Sequence, residues 1–134
     1  MFGEVIIFFH PELAENFKYY RKQGMQLASK MRFVSAQYTE LLKDGLWQQL
    51  ASHANQMAQK LAAAVSQIPQ IKITQRVESN GVFAIVPPEI IPQLQSEYFF
   101  YMWDEHNHEV RWMTSFDTQP EDIDSFVAKI KELL

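Results

Sequence analysis

Ile71-Lys72-Ile73-Thr74-Gln75-Arg76-Val77-Glu78-Ser79-Asn80-Gly81-Val82-Phe83-Ala84-Ile85-Val86 is the stretch at which the apolar pattern changes its period. Ile71 and Ile73 alternate with polar neighbours, and Val82 to Val86 is a second extended run, so both read as strands. Asn80-Gly81 between them is a turn signal. Upstream, the spacing is helical. Leu46, Trp47, Leu50, Ala54, Met57, Leu61, Ala62, Val65 and Ile68 form one stripe that ends at Pro69. Met31, Val34, Tyr38, Leu41 and Leu42 repeat the same spacing as far as Asp44-Gly45. Further back, Pro11 sets a helix start, with Leu13, Phe17 and Tyr20 on one face and Gly24 as the stop. Downstream, Pro87-Pro88 ends the strand and Pro88 opens a short helix through Leu94. Tyr98 to Trp103 and Val110 to Thr114 then pair around the polar connection Asp104 to His108. Thr118-x-x-Glu121 is a capping box ahead of the amphipathic run Ile123, Phe126, Val127, Ile130 and Leu134.

This order predicts an α+β fold, a small antiparallel sheet with helices packed on one face, preceded by one strand and long helices. With 134 residues, 47% of them hydrophobic and 13% aromatic, the chain has the apolar surface for one real core. Its net charge of -4 argues against a nucleic-acid partner, which would select a basic surface. No segment is long enough to read as a membrane span. The absence of cysteine excludes a disulfide scaffold, a thiol nucleophile and a zinc-thiolate site, and fits a cytoplasmic protein.

Val5-Ile6-Ile7-Phe8-Phe9 is an unbroken apolar run ended by His10-Pro11. It reads as a strand buried on both faces, hence one that belongs to a larger sheet. Residues 1–10 are therefore expected to be a strand of another domain, 11–69 a helical connecting region and 70–134 a small α+β domain. Two apolar faces on an unpaired strand also invite association with a second copy of the chain.

Several polar groups carry potential chemistry. Arg111 lies between apolar Val110 and Trp112, so it faces away from them. A guanidinium there is either a solvated surface charge or a bidentate clamp for a carboxylate. Ser29 reads as the cap of a helix with Lys30 in its first turn, where anions are favoured, and Lys22 and Arg32 are close in sequence. His53 and Asn55 sit in the long helix and read as structural. Asp104-Glu105-His106-Asn107-His108-Glu109 reads as a solvated hairpin tip, because two histidines without an orienting framework are a weak metal signal. Asp117 and Ser115 complete no triad. The Trp and Phe residues follow the strand and helix stripes and are expected in the core.

Tyr20-Arg21-Lys22-Gln23-Gly24-Met25-Gln26-Leu27-Ala28-Ser29-Lys30-Met31-Arg32-Phe33 resembles a segment of the low-specificity L-threonine aldolase and β-eliminating lyase family. So do Gly45-Leu46-Trp47 with Ala51-Ser52-His53-Ala54-Asn55, Asn80-Gly81-Val82-Phe83, and Val110-Arg111-Trp112-Met113-Thr114-Ser115-Phe116-Asp117, all in family order. The resemblance implies a fold type I enzyme that uses pyridoxal 5'-phosphate (PLP) and splits L-threonine or allo-threonine into glycine and acetaldehyde. It implies that this sequence is the C-terminal portion. The strand near the start would belong to the large PLP-binding domain, and the Gly-Thr-Lys-Asn-like motif with the PLP-bearing lysine would precede Met1. Alone, the chain would then be inactive. The resemblance gives Arg111 the substrate carboxylate, and gives Lys30 and Lys22 the cofactor phosphate, at times that of a neighbouring subunit. Some relatives have Gly-Gly-Gly-Met-Arg where this chain has Gln26-Leu27-Ala28-Ser29-Lys30. A free-standing binding module, a chain complemented by a separate N-terminal part, and a β-eliminating relative remain the other readings.

Overall fold

The computed structural model describes residues 3–134. Its longest element is helix α3, Leu46–Val65, which contains neither glycine nor proline and is rich in alanine, leucine and glutamine. Ala54, Ala58, Leu61 and Val65 are its buried residues, a 4-3-4 spacing that puts them on one face. The stripe read from the sequence extends further back, but Leu46 and Trp47 are exposed. The chain divides into two compact units, Met1–Trp47 and Gln48–Leu134, so the division falls inside this helix.

In the second unit four strands, β1 (Lys72–Ile73), β2 (Gly81–Ile85), β3 (Tyr101–Asp104) and β4 (Glu109–Met113), form an antiparallel sheet in the order β1-β2-β4-β3. Helix α4 (Ile91–Glu97) joins β2 to β3, and helix α5 (Pro120–Leu133) follows β4. Val82, Ala84, Val110 and Trp112 point to one face. There they meet Ala58, Leu61 and Val65 of α3 and Ile123, Phe126, Val127 and Ile130 of α5 in a continuous apolar core. Fully burying each large aliphatic side chain contributes about 1.5–3 kcal/mol. The expected α+β sheet with helices on one face is what the chain forms.

Local details differ from expectation in instructive ways. Asn80-Gly81 is not a two-residue hairpin turn: β1 and β2 are joined by residues 74–80, and Asn80 serves another purpose. Its side-chain amide donates to the Thr114 carbonyl (2.8 Å), while the Thr114 amide donates to the Asn80 carbonyl (3.0 Å). Thr114, the one buried polar residue among those described, also donates its hydroxyl to the carbonyls of Ala54 (2.7 Å) and Asn80 (3.2 Å). One side chain thus ties the end of β4 to α3 and to the approach of β2. The capping box of α5 falls one residue later than read, at Gln119 and Asp122, whose carboxylate accepts the Gln119 amide at 2.8 Å. Pro120 takes the first helical position, leaving the Thr118 hydroxyl free to accept the Ser115 amide at 2.8 Å. Helix α4 begins at Ile91 and continues past Leu94 to Glu97.

In the first unit, Val5 to Phe9 form no strand. The four strands pair among themselves and offer this run no ladder, and Val5, Ile6, Ile7 and Phe9 stand exposed. The Phe8 ring packs edge-on against Phe17. Pro11 opens only a short 3-10 turn, Pro11–Ala14. Helix α1 (Phe17–Met25) starts afresh after Asn16, whose φ of 61° an asparagine tolerates. Gly24 lies within α1, and the stop is at Gln26. Helix α2 spans Met31–Leu42.

Because the Thr114 hydroxyl is buried and donates to the Ala54 carbonyl, Thr114→Val removes the side-chain tie from β4 to α3, while the backbone amide still serves the Asn80 carbonyl. We expect a loss of about 1–3 kcal/mol in folding free energy, measured by urea denaturation of the second unit's tryptophan signal.

Candidate carboxylate-binding site

The alternation that buries Val110 and Trp112 against α3 and α5 sends Arg111 to the opposite face of the sheet. Its register partners there are Phe83 on β2 and Tyr101 on β3. An irregularity in the pairing of β3 between Met102 and Asp104 leaves Trp103 on the same side. The guanidinium carbon lies 5.6 Å from the Tyr101 ring centre and 5.2 Å from that of Trp103. Phe83 in turn braces Trp103, ring centres 5.1 Å apart and planes at 74°. Two ring faces therefore hold the guanidinium by cation–π attraction, which leaves its N–H edges for another group.

No acidic side chain of the described residues supplies that group. The Arg111 Nε is buried with no hydrogen-bond partner, and no ion pair engages the guanidinium. Glu109 is the nearest carboxylate along the strand on this face, and the Thr74 hydroxyl donates to it. A half-buried cation with its donors unused and aromatic walls is chemically suited to a carboxylate brought from outside. Trp103 corrects the expectation that the Trp and Phe rings lie in the core: it is more than half exposed, as is Tyr101 beside it, whereas Trp112, Phe100 and Phe126 are buried. The signal was present in the parity of the strands, since Tyr101 and Trp103 share the phase of Arg111.

The other two candidate cations lie in the first unit. Lys22 is in the last turn of α1 and exposed. Lys30 is not in the first turn of α2, and Ser29 does not cap it. Lys30 itself precedes the helix with φ 61°, and no side chain caps the helix start. Lys30 thus occupies the position before a helix start whose first backbone amides meet no side-chain cap. His53 meets its structural reading: its ring Nε2 donates to the Thr118 carbonyl at 2.7 Å, joining α3 to the entry of α5.

Over 132 residues, 98% of its length, the chain is 39% identical to the low specificity L-threonine aldolase of Pseudomonas sp. (strain NCIMB 10558). It is a threonine aldolase relative. A second low specificity L-threonine aldolase, from Pseudomonas aeruginosa, is 37% identical over 129 residues. The chain spans 38% and 37% of the lengths of these two curated relatives. Among solved structures, the threonine aldolase of Leishmania major superposes with a TM-score of 0.80 at 27% identity, covering 88% of this chain and 35% of that one. No protein-family model matches the chain. Among the described residues no helix is long and apolar enough to cross a membrane.

The threonine aldolase likeness runs through the β3–β4 hairpin, whose tip keeps Tyr101 and Trp103 beside Arg111. The Asp104 carboxylate accepts the Asn107 side-chain amide (2.6 Å) and the backbone amides of His106 (2.9 Å) and Asn107 (3.4 Å). These bonds, that from the Asn107 side chain foremost, hold the Asp104 carboxyl below its ordinary value of 3.8. A depressed folded-state pKa stabilises the fold above the ordinary value, and that contribution is lost as pH falls through the lowered one. In Asn107→Ala we expect the Asp104 titration midpoint to rise toward 3.8 by carboxyl-detected NMR, with the acid limb of the stability curve moving up with it.

Proposed function

We propose that this chain is part of a PLP-dependent L-threonine aldolase, which cleaves L-threonine or allo-threonine to glycine and acetaldehyde. In it, Arg111 binds the α-carboxylate of the substrate. The observation that carries this reading is the Arg111 guanidinium itself, held between Tyr101 and Trp103 with Nε buried and unpaired. Relationship to threonine aldolases over nearly the whole chain supplies the class of amino-acid ligand.

A two-pronged hydrogen bond fixes the rotation of an amino acid as well as its position, so the bond to be broken is aimed by the carboxylate anchor. PLP, when bound, supplies the electron sink that makes cleavage between Cα and Cβ possible. For its phosphate, the chemistry of Lys22 and Lys30 fits. Both ammonium groups are exposed, and Lys30 stands at uncapped amides that favour an anion. No Gly-Thr-Lys-Asn-like motif occurs in the 134 residues. The lysine that carries the cofactor is therefore assigned outside this stretch, and the chain's share of the work is anchoring and orientation. The exposed Val5, Ile6, Ile7 and Phe9 support a place for residues 1–10 against the large domain of such an enzyme, and self-association of the assembled protein. A cytoplasmic location follows from the same family reading.

The purified chain with PLP and L-threonine should release no acetaldehyde. Mixing it with the portion of the Pseudomonas aeruginosa relative that it does not span should restore cleavage. In that mixture Arg111→Lys should lower kcat/KM roughly 10- to 100-fold, mainly through KM, because one of two charge-assisted bonds is lost. Cleavage by the chain alone overturns the assignment of the lysine. An unchanged KM in the variant overturns the role of Arg111.

A further inference from the structure

Glu109 and Arg111 are two residues apart on β4, and the alternation of a strand puts both side chains on one face of the sheet. Their Cα atoms are then about 6.7 Å apart, well within the combined reach of a glutamate and an arginine. Opposite charges so placed are natural partners, yet among the described residues neither makes an ion pair.

The two side chains part in opposite directions. In the order β1-β2-β4-β3, Glu109 reaches back over β2, where its carboxylate accepts the hydroxyl of Thr74, the residue next after β1. The Arg111 guanidinium turns the other way, to the rings of Tyr101 and Trp103 on β3. Thr74 is well fixed for its part. Its backbone amide donates to the Phe83 carbonyl at 3.0 Å, which extends the β1–β2 ladder by one residue. Lys72, whose partner Ile85 stands opposite Glu109, is a second cation on the same row of the sheet, and it too makes no ion pair. A hydrogen bond to an ionised carboxylate contributes more than an ion pair between partly exposed side chains, whose attraction water screens. The Thr74 hydroxyl therefore wins Glu109.

We propose that Thr74 is a positioning residue of the Arg111 site. By holding Glu109 across β2 it keeps an internal carboxylate off the guanidinium, and so keeps the guanidinium open to an external one. This rests on the reading of Arg111 as the anchor of the substrate carboxylate. Without the Thr74 hydroxyl, Glu109 turns along its own strand onto Arg111 and competes with the substrate. Only molecules with Arg111 unpaired then bind, so KM rises by the inverse of their fraction. Substrate that does bind is oriented as before, and kcat is kept.

Thr74→Val removes the hydroxyl and keeps the backbone bond. On the full 134-residue chain alone, phenylglyoxal, a dicarbonyl that attacks unpaired guanidinium groups, is allowed to modify Arg111, and the rate is followed by peptide mass spectrometry. Thr74→Val should slow this rate about three- to fivefold. Adding Glu109→Gln to Thr74→Val should restore it, and Thr74→Ser should leave it unchanged. In the mixture with the complementary portion of the Pseudomonas aeruginosa relative, KM for L-threonine should rise by the same factor in Thr74→Val and recover in the double variant, with kcat kept throughout. A rate that Thr74→Val leaves alone, as when Glu109 turns to Lys72, overturns the proposal, and so does a slowing that Glu109→Gln does not reverse. A KM that responds to Arg111→Lys but not to Thr74→Val overturns it as well. Rates that change as expected, beside a KM that neither Thr74→Val nor Arg111→Lys moves, uphold the hold of Thr74 on Glu109 and overturn the carboxylate role of Arg111 instead.

Discussion

Strand β4 is paired along both of its edges, to β2 on one side and to β3 on the other, and this double pairing is the constraint on which the second unit depends. A strand held on both sides cannot slip by one residue without exchanging its two faces. With the register of Val82 opposite Trp112 and Phe83 opposite Arg111, the indole goes under α3 and α5 and the guanidinium goes to the other face of the sheet. A slip would bury the charge of Arg111 in the core and expose Trp112, at a cost well beyond any single contact. Thr114 locks the end of the same strand by bonding to α3 and to the residue that leads into β2. The candidate site is therefore a by-product of how the core is registered.

Much of this was readable in the order of apolar residues. The change from helical to alternating spacing near Ile71 marks where α3 gives way to the sheet, and the 3–4 spacing of Ile123, Phe126, Val127 and Ile130 marks the buried face of α5. Arg111 was legible as a residue out of phase with its buried neighbours, although its functional meaning came from family resemblance. What could not be read was set by partners distant in sequence. Asn80-Gly81 has the composition of a tight turn, yet Asn80 is recruited by Thr114, so the turn chemistry lost to a tertiary bond. Trp103 looks like a core residue by type; strand parity sets it in phase with Tyr101, but only the pairing of β3 with β4 puts both rings beside a cation. Val5 to Phe9 have the composition of a central strand but find no ladder among the described residues.

The two units carry the two halves of the proposed chemistry. Arg111 rests on a sheet whose register is over-determined, which suits a group that must hold a substrate at one angle. Lys22 and Lys30 lie on helix ends with exposed side chains, which suits a contact where charge matters more than direction.

The strand order β1-β2-β4-β3 has a consequence for how the chain reaches its structure. Hairpin β3–β4 joins neighbours in sequence across a tip closed by Asp104, so its formation is a fast, local event. The β2–β4 ladder joins segments separated by α4 and β3, and its loop entropy is spent before any contact rewards it. Loop-closure entropy therefore favours the β3–β4 pairing, which carries the rings beside Arg111, over the longer-range pairing of β2 with β4.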